Sequence, residues 1–434
     1  MIELSTRRRF QPKSFRWRLR ILVAISLAAL CARAARAQSP PTLSIVDFGA
    51  QAIGVVTRES PAVRGRDLTE GYLTQPVVML TIAPWHEALV LRSTLDFEGA
   101  TIKRGELNAG IYGEGYIDRR HPHTYLHELV LTSVKRFRGD SPSGVSLTVG
   151  KGFAPFGTDD PMSRPFEKYP INHHLAQILE RAVGIGAVRA GPWIVEAGAF
   201  NGDEPTGPGD VPDRNRYWDS WSGRVTFLPW SQGEIQTSYA RVKSPENPSG
   251  QGADQRKQSA SIRLEDAQHS GYALFEWART ADYIGSARSF TFTSLLAETW
   301  TRYDRISGGI RFERTERPDE ARLSDEFRTP VPATDFSIAG RSRWTIVTAG
   351  LAVNALSVKG LSILPFGEVA RAQAVPTLRP SGFDPRQFYG SDRIWSVSVG
   401  VRLAFRMSYM RMGRYGVAVA AHRPMMAGMM MDPM

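Results

Sequence analysis

The chain has 434 residues, 54 Lys and Arg against 43 Asp and Glu, a formal net charge of +11, 42% hydrophobic content, 39 glycines and one cysteine. Nine of the basic residues and one Glu lie within residues 1–38, so the remainder carries only +3, which removes the argument for a nucleic-acid-binding polycation. Cys31 falls in the same stretch, and the rest of the chain therefore has no disulfides, thiolate metal sites or cysteine nucleophile.

The first 37 residues read as a secretion signal. Arg7, Arg8, Arg9, Lys13, Arg16, Arg18 and Arg20 form a basic flank, Ile21 to Leu30 an apolar core, and Ala35-Arg36-Ala37 a small-residue cleavage site. The apolar run is too short to span a bilayer as a helix, which takes about 20 residues. Leu30 before Cys31 is the wrong residue for lipoprotein processing. No later segment is long and apolar enough for a transmembrane helix, which leaves strands as the only means of crossing a membrane.

Apolar and polar residues then alternate with period two, segment after segment. Val46, Phe48, Ala50 and Ala52 oppose Asp47, Gly49 and Gln51; Leu89, Leu91, Leu95 and Phe97 oppose Arg92, Thr94, Asp96 and Glu98. The pattern returns at Val145 to Gly150, Trp193 to Ala199, Ala260 to Glu265, Ala273 to Trp277, Ile306 to Glu313 and Trp395 to Phe405. Less regular candidates lie at Tyr72 to Pro84, Tyr125 to Phe137, Ala182 to Ala190, Ser222 to Leu228, Glu234 to Val242, Phe290 to Thr299, Trp344 to Ser357 and Leu361 to Ala372. Together they predict about 16 strands of roughly 9 to 13 residues, a length suited to a tilted membrane strand.

The connectors alternate too. Short joints are expected at Ala83 to His86, Ala190 to Pro192, Pro229 to Gln232, Asp266 to Ser270, Thr301 to Asp304 and Lys359-Gly360; long loops at Asn201 to Trp218, Pro245 to Arg256, Thr280 to Ala287, Arg314 to Arg341 and Gln373 to Arg393. Trp85, Trp193, Tyr217, Trp218, Trp221, Trp230, Trp300, Tyr303, Trp344 and Trp395 sit near strand ends, where two lipid–water girdles would place them. The expected fold is all-β: a transmembrane antiparallel up-and-down β-barrel at residues 38–406, followed by a Met-rich C-terminal tail at 407–434. The last strand is expected to end at Phe405, with the tail hanging free; the alternative is that Met407 to Val419 supplies the last strand.

Lys151 to Ala182 breaks the pattern. It is too long for a hairpin joint, contains several prolines, and offers two helical turns over His173 to Arg181 with Asn172 as N-cap. A long loop of mixed charge after an early strand is expected to fold inward as a constriction. The stretch Gly150-Lys151-Gly152-Phe153-Ala154-Pro155-Phe156-Gly157 resembles the strand end and Pro-Phe-Gly turn of the phosphate-selective porin O and P family and related Gram-negative porins. That resemblance implies a trimer of 16-stranded channels in the bacterial outer membrane, with basic side chains along the passage.

Lys151, Arg164, Lys168, His173, His174 and Arg181 are the expected constriction residues; Arg92, Arg224, Arg263, Arg311, Arg402, Glu98 and Glu196 are expected to line the pore. Acids balance bases along this wall, and Asp159-Asp160 oppose the basic constriction, which predicts weak selectivity. The expected function is passive diffusion of small hydrophilic solutes, anions such as phosphate among them, with outer-membrane lipid and the solutes as partners, no nucleic acid and no cofactor. No catalytic site is expected, since no nucleophile motif such as G-x-S-x-G stands out. His121, His123 and His127 lack a carboxylate at helical spacing, and no metal site is expected of them. Two alternative readings are copper handling through His422 and Met425, Met426, Met429, Met430, Met431 and Met434, and a barrel-borne lipid hydrolase.

Overall fold

The computed structural model describes residues 46–62, 65–102, 123–137, 142–266, 271–320, 338–378, 384–406 and 411–419. The signal at 1–37, His121 and the Met-rich tract after residue 419 lie outside these.

The strands are β1 (Val46–Ser60), β2 (Leu68–Ile82), β3 (Pro84–Glu87), β4 (Leu89–Asp96), β5 (Leu126–Arg136), β6 (Gly144–Gly152), β7 (Arg181–Ala190), β8 (Trp193–Phe200) and β9 (Ser220–Trp230). They continue with β10 (Gly233–Val242), β11 (Asp254–Glu265), β12 (Gly271–Ile284), β13 (Ala287–Tyr303), β14 (Ile306–Glu320), β15 (Ile338–Val353), β16 (Leu356–Val358), β17 (Leu361–Leu378) and β18 (Arg393–Phe405). β3 and β16 are short pieces within turns; the other sixteen each pair antiparallel with both neighbours. The sheet closes through β1 and β18, in register from Ala50↔Phe405 to Ser60↔Trp395. Closure leaves no edge, the condition for placing strands in lipid, where an unpaired N–H or C=O has no water to bond.

Alternation decides the two faces. On β18, Trp395, Val397, Val399, Val401 and Leu403 are exposed on the outside, whereas Ser396, Ser398 and Arg402 are buried inside. The same division holds on β8, with Trp193 and Val195 outside and Glu196 inside, and on β12, with Phe275 outside and Glu276 inside. An apolar exterior around a charged interior inverts the order of a soluble protein, and it is the signature of a barrel standing in a membrane. No described helix is long and apolar enough to cross one.

The strands expected from alternation are all present, and the last does end at Phe405. Some details differ. Thr280 to Ala287, expected as a long loop, is ladder almost throughout: β12 and β13 run on to Ile284 and Ala287, leaving a two-residue turn at Gly285-Ser286. The helix expected over His173 to Arg181 is one turn, α1 (His173–Ala176), and the Asn172 side chain donates to Glu276 at 2.9 Å instead of capping it.

Exposed aromatics form the two girdles. Trp85, Phe137, Trp193, Trp230 and Tyr303 lie at the short-turn end; Phe97, Tyr125, Tyr217, Trp218, Trp221 and Trp395 lie at the long-loop end. Trp300 and Trp344 do not belong to them. Both face inward, Trp300 edge-on to Phe166 (5.0 Å between centroids) and Trp344 edge-on to Tyr389 (5.8 Å), because the strand register gives them the parity of the inner face.

Val399 lies at mid-strand on the lipid face. Val399→Arg is expected to cost about 2–4 kcal/mol in reversible unfolding from lipid vesicles, and the same change at Val46, near a rim, about 0–1 kcal/mol. Equal costs at the two positions would contradict the lipid assignment.

Candidate functional site

The lumen is occupied by two segments of the chain. Residues 153–180, between β6 and β7, fold inward, and nearly every described side chain among them is buried. Residues 411–419, beyond the last strand, return into the barrel from the short-turn end, with Met412, Arg414, Tyr415, Val417 and Ala418 buried. The expectation of a free-hanging tail is therefore corrected for 411–419. Met412, Tyr415, Val417 and Ala418 are buried apolar groups of that stretch, and their burial against the barrel wall and the inward loop favours the inside over water.

Local chemistry explains the inward turn. Gly157 closes the Pro-Phe-Gly turn at φ +68°, and a Cβ there would collide with the Ala176 carbonyl oxygen, so only glycine permits the two limbs of the loop to meet. The Gly157 N–H donates to Ser238 Oγ at 3.0 Å, and Phe153 N–H to the Tyr415 hydroxyl at 3.0 Å, tying the loop to the wall on one side and to the C-terminal segment on the other.

All five arginines expected along the pore wall point inward, and each is spent on one of these two segments. Arg224 holds Glu196 through both carboxylate oxygens at 2.6 Å and donates to the carbonyls of Gly157 (3.2 Å) and Gly413 (2.8 Å). Arg311 pairs with Glu298 at 2.5 Å and donates to the Lys168 carbonyl at 2.7 Å. Arg402 reaches the Pro165 carbonyl at 3.1 Å, Arg263 the Asp159 carboxylate at 3.4 Å, and Arg92 the Arg414 carbonyl at 3.3 Å. The wall acids answer from the other side: Glu368 accepts from Glu167 N–H at 3.0 Å, Glu313 from Ile171 N–H at 2.7 Å and Glu276 from the Thr158 hydroxyl at 2.6 Å. Buried backbone groups need partners, and these charged side chains supply them.

The expected constriction residues are buried within the same network. Arg164 stands 4.0 Å from both Glu276 and Glu298, Lys168 lies 3.6 Å from Glu59, and Arg181 pairs with Glu204 at 2.8 Å. Lys151 bonds the Thr124 hydroxyl, and His173 Nδ1 lies 3.1 Å from the Pro170 carbonyl. The side chain of His174 lies outside the described residues. Glu98 accepts from Gln75 N–H at 2.7 Å and from Thr74, both on β2.

Sequence reasoning missed Arg411, Arg414 and Tyr415. Arg411 grips Glu234 at 2.6 Å and Asp159 at 3.4 Å; Arg414 bonds Glu234 at 2.8 Å, the Thr226 hydroxyl at 3.0 Å and Gln236. The signal was present, in two arginines and a tyrosine following the terminal strand, but their partners are far away in sequence. On the short-turn side, a small pocket between Asp47, Gly49, Met79, Thr81, Arg92 and Thr94 ends on Met412.

No protein-family model matches the chain, and no curated protein matches it in sequence. Among solved structures it is similar to an anion-selective porin from Comamonas acidovorans, at 10% identity and TM-score 0.49, over 83% of this chain and 99% of that one. It is similar also to outer-membrane expressed OmpT of Vibrio cholerae, at 10% identity and TM-score 0.47, over 85% and 100%, and to OprB of Pseudomonas putida, at 9% and 0.46, over 83% and 94%. The phosphate-selective family named by Gly150 to Gly157 has no match at the level of a family. The coarser class, a closed antiparallel barrel of sixteen long strands with an apolar exterior, rests on the chain's own ladder and its two faces.

Burial alone would raise the Asp159 carboxyl, but Arg411, Arg263 and Arg164 outweigh it and hold the group well below the usual carboxylate range. A carboxylate depressed in the folded state stabilises above its unfolded value and loses that contribution only as pH falls through the folded one. Amide hydrogen-exchange protection of 411–419 is therefore expected to persist at pH 5 and to fade only below about pH 3.9. Release of the segment between pH 6 and 5 would contradict the assignment.

Proposed function

We propose that the protein is an outer-membrane channel for passive diffusion of small hydrophilic solutes, in which the passage is narrowed by residues 153–180 and closed from the short-turn side by residues 411–419. The observation that carries this reading is a charged interior whose inward groups hold two segments by hydrogen bonds and ion pairs, within a closed barrel. A barrel meant only as a membrane scaffold needs no charged lumen, since apolar filling costs less than burying paired ions.

Ion pairs join Arg224 to Glu196, Arg311 to Glu298 and Arg263 to Asp159 and Glu265, while Arg164 stands between Glu276 and Glu298, Lys168 meets Glu59 and Arg181, at the start of β7, meets Glu204. Acids and bases are close to balanced along this surface, which favours a weakly selective pore over a ring of one sign. Anion or phosphate preference and a trimeric assembly belong to the proposal through the resemblance at Gly150 to Gly157 alone.

Planar-bilayer recording tests both parts. The intact chain is expected to conduct rarely or in brief openings, and Arg411→Gln with Arg414→Gln to raise the open probability at least tenfold, because both grips on Glu234 are lost. Loss of conductance in the double variant, with the barrel folded by its heat-shift on gels, would defeat the closing role of 411–419. Absence of conductance in every form would defeat the channel reading itself. The reversal potential in a salt gradient reports the selectivity.

A further inference from the structure

Asp96, His123 and His127 each bring a ligand atom within 4.8 Å of one another, inside the barrel at the long-loop ends of β4 and β5. We infer that these three side chains bind one borderline divalent transition cation, of the Zn²⁺ class, and that the ion fastens the inward loop to the barrel wall.

A second, independent observation points to a ligand. Asp96 is 1% exposed, and one of its carboxylate oxygens, Oδ2, has no hydrogen-bond partner, while Oδ1 accepts from Glu98 N–H at 2.9 Å. A buried carboxylate oxygen in this state takes up either a proton or a cation, and two imidazoles within reach favour a cation held among the three. The imidazoles are prepared for one as well. His127 has a carboxylate at each ring nitrogen, Glu180 at 2.5 Å from Nδ1 and Asp160 at 3.1 Å from Nε2, and Glu180 also lies 3.6 Å from His123 Nδ1. To ligate, His127 gives up the proton at one nitrogen and the carboxylate there turns to the metal, while the carboxylate at the other nitrogen fixes the tautomer of the ligating ring. Two imidazoles and one carboxylate, with an open fourth position that Glu180 or Asp160 can fill, suit Zn²⁺ over Mg²⁺ or Ca²⁺, which take oxygen ligands. Bonds of about 2.0–2.2 Å require the three groups to draw together by about 1 Å, and His123, which precedes the first ladder residue of β5, is not held by the sheet. Glu180 and Asp160 belong to the inward loop, so a metal here joins loop to wall, and this holds whether or not the barrel conducts.

The test is Zn²⁺ titration of the refolded, chelator-stripped full chain, with metal content measured by mass spectrometry. One saturable Zn²⁺ per chain is expected, with affinity falling about 10–100-fold in His123→Gln and in Asp96→Asn, each verified as folded by its heat-shift on gels. A full chain with His422→Ala and Leu in place of Met425, Met426, Met429, Met430 and Met431 is expected to keep the site. X-ray absorption at the zinc edge is expected to give nitrogen and oxygen neighbours with imidazole scattering and no sulfur. No saturable binding by the unaltered chain would overturn the inference. So would undiminished binding by His123→Gln and Asp96→Asn, or binding lost only in the tail variant.

Discussion

The structure depends on one constraint: every charge that faces the inside of this barrel must find its partner inside the barrel. Arg224 shows how tightly that is met. Its guanidinium takes both oxygens of Glu196 on the neighbouring strand and still reaches the carbonyls of Gly157 and Gly413, so a single side chain joins the wall, the inward loop and the C-terminal segment. Removing one member of such a buried set leaves the others uncompensated, at a cost of about 3–5 kcal/mol where burial is complete. The pairing thus specifies an arrangement more than it adds stability.

That constraint turns the lumen from an empty pipe into a fitted interior. Arginines on β9, β14 and β18 donate to loop carbonyls, and glutamates on β12, β14 and β17 accept loop N–H or O–H groups. The loop has little regular structure of its own, since α1 spans only four residues. Its backbone groups are satisfied by the wall, which explains how a proline-rich segment of this length remains ordered within a cavity. The C-terminal segment uses the same means: Arg411 and Arg414 converge on Glu234, and Tyr415 caps the start of the loop.

Much of the barrel was legible from period two. Trp395 to Phe405 alone separates a lipid face from a lumen face, because a strand turns successive side chains to opposite sides and the two environments demand opposite polarity. Arg92, Arg224, Arg263, Arg311 and Arg402 were placed inside on that ground, and all five are there. Trp300 and Trp344 were misplaced for the same reason: an aromatic near a turn says nothing of its face unless the register is known, and their strands alternate weakly. Thr280 to Ala287 was misread because polar residues at a strand end resemble a loop until the partner strand supplies the ladder.

By itself the sequence determined the approximate strand number, the orientation of the faces where alternation is regular, the terminal strand at Phe405 and the existence of an irregular segment between β6 and β7, since each follows from neighbours within a few residues. Only the tertiary structure decided what fills the lumen. Arg414 meets Glu234, and His127 meets Asp160 and Glu180, across wide gaps in the chain. Such meetings depend on how sixteen strands close into a ring, a long-range property that no local period encodes.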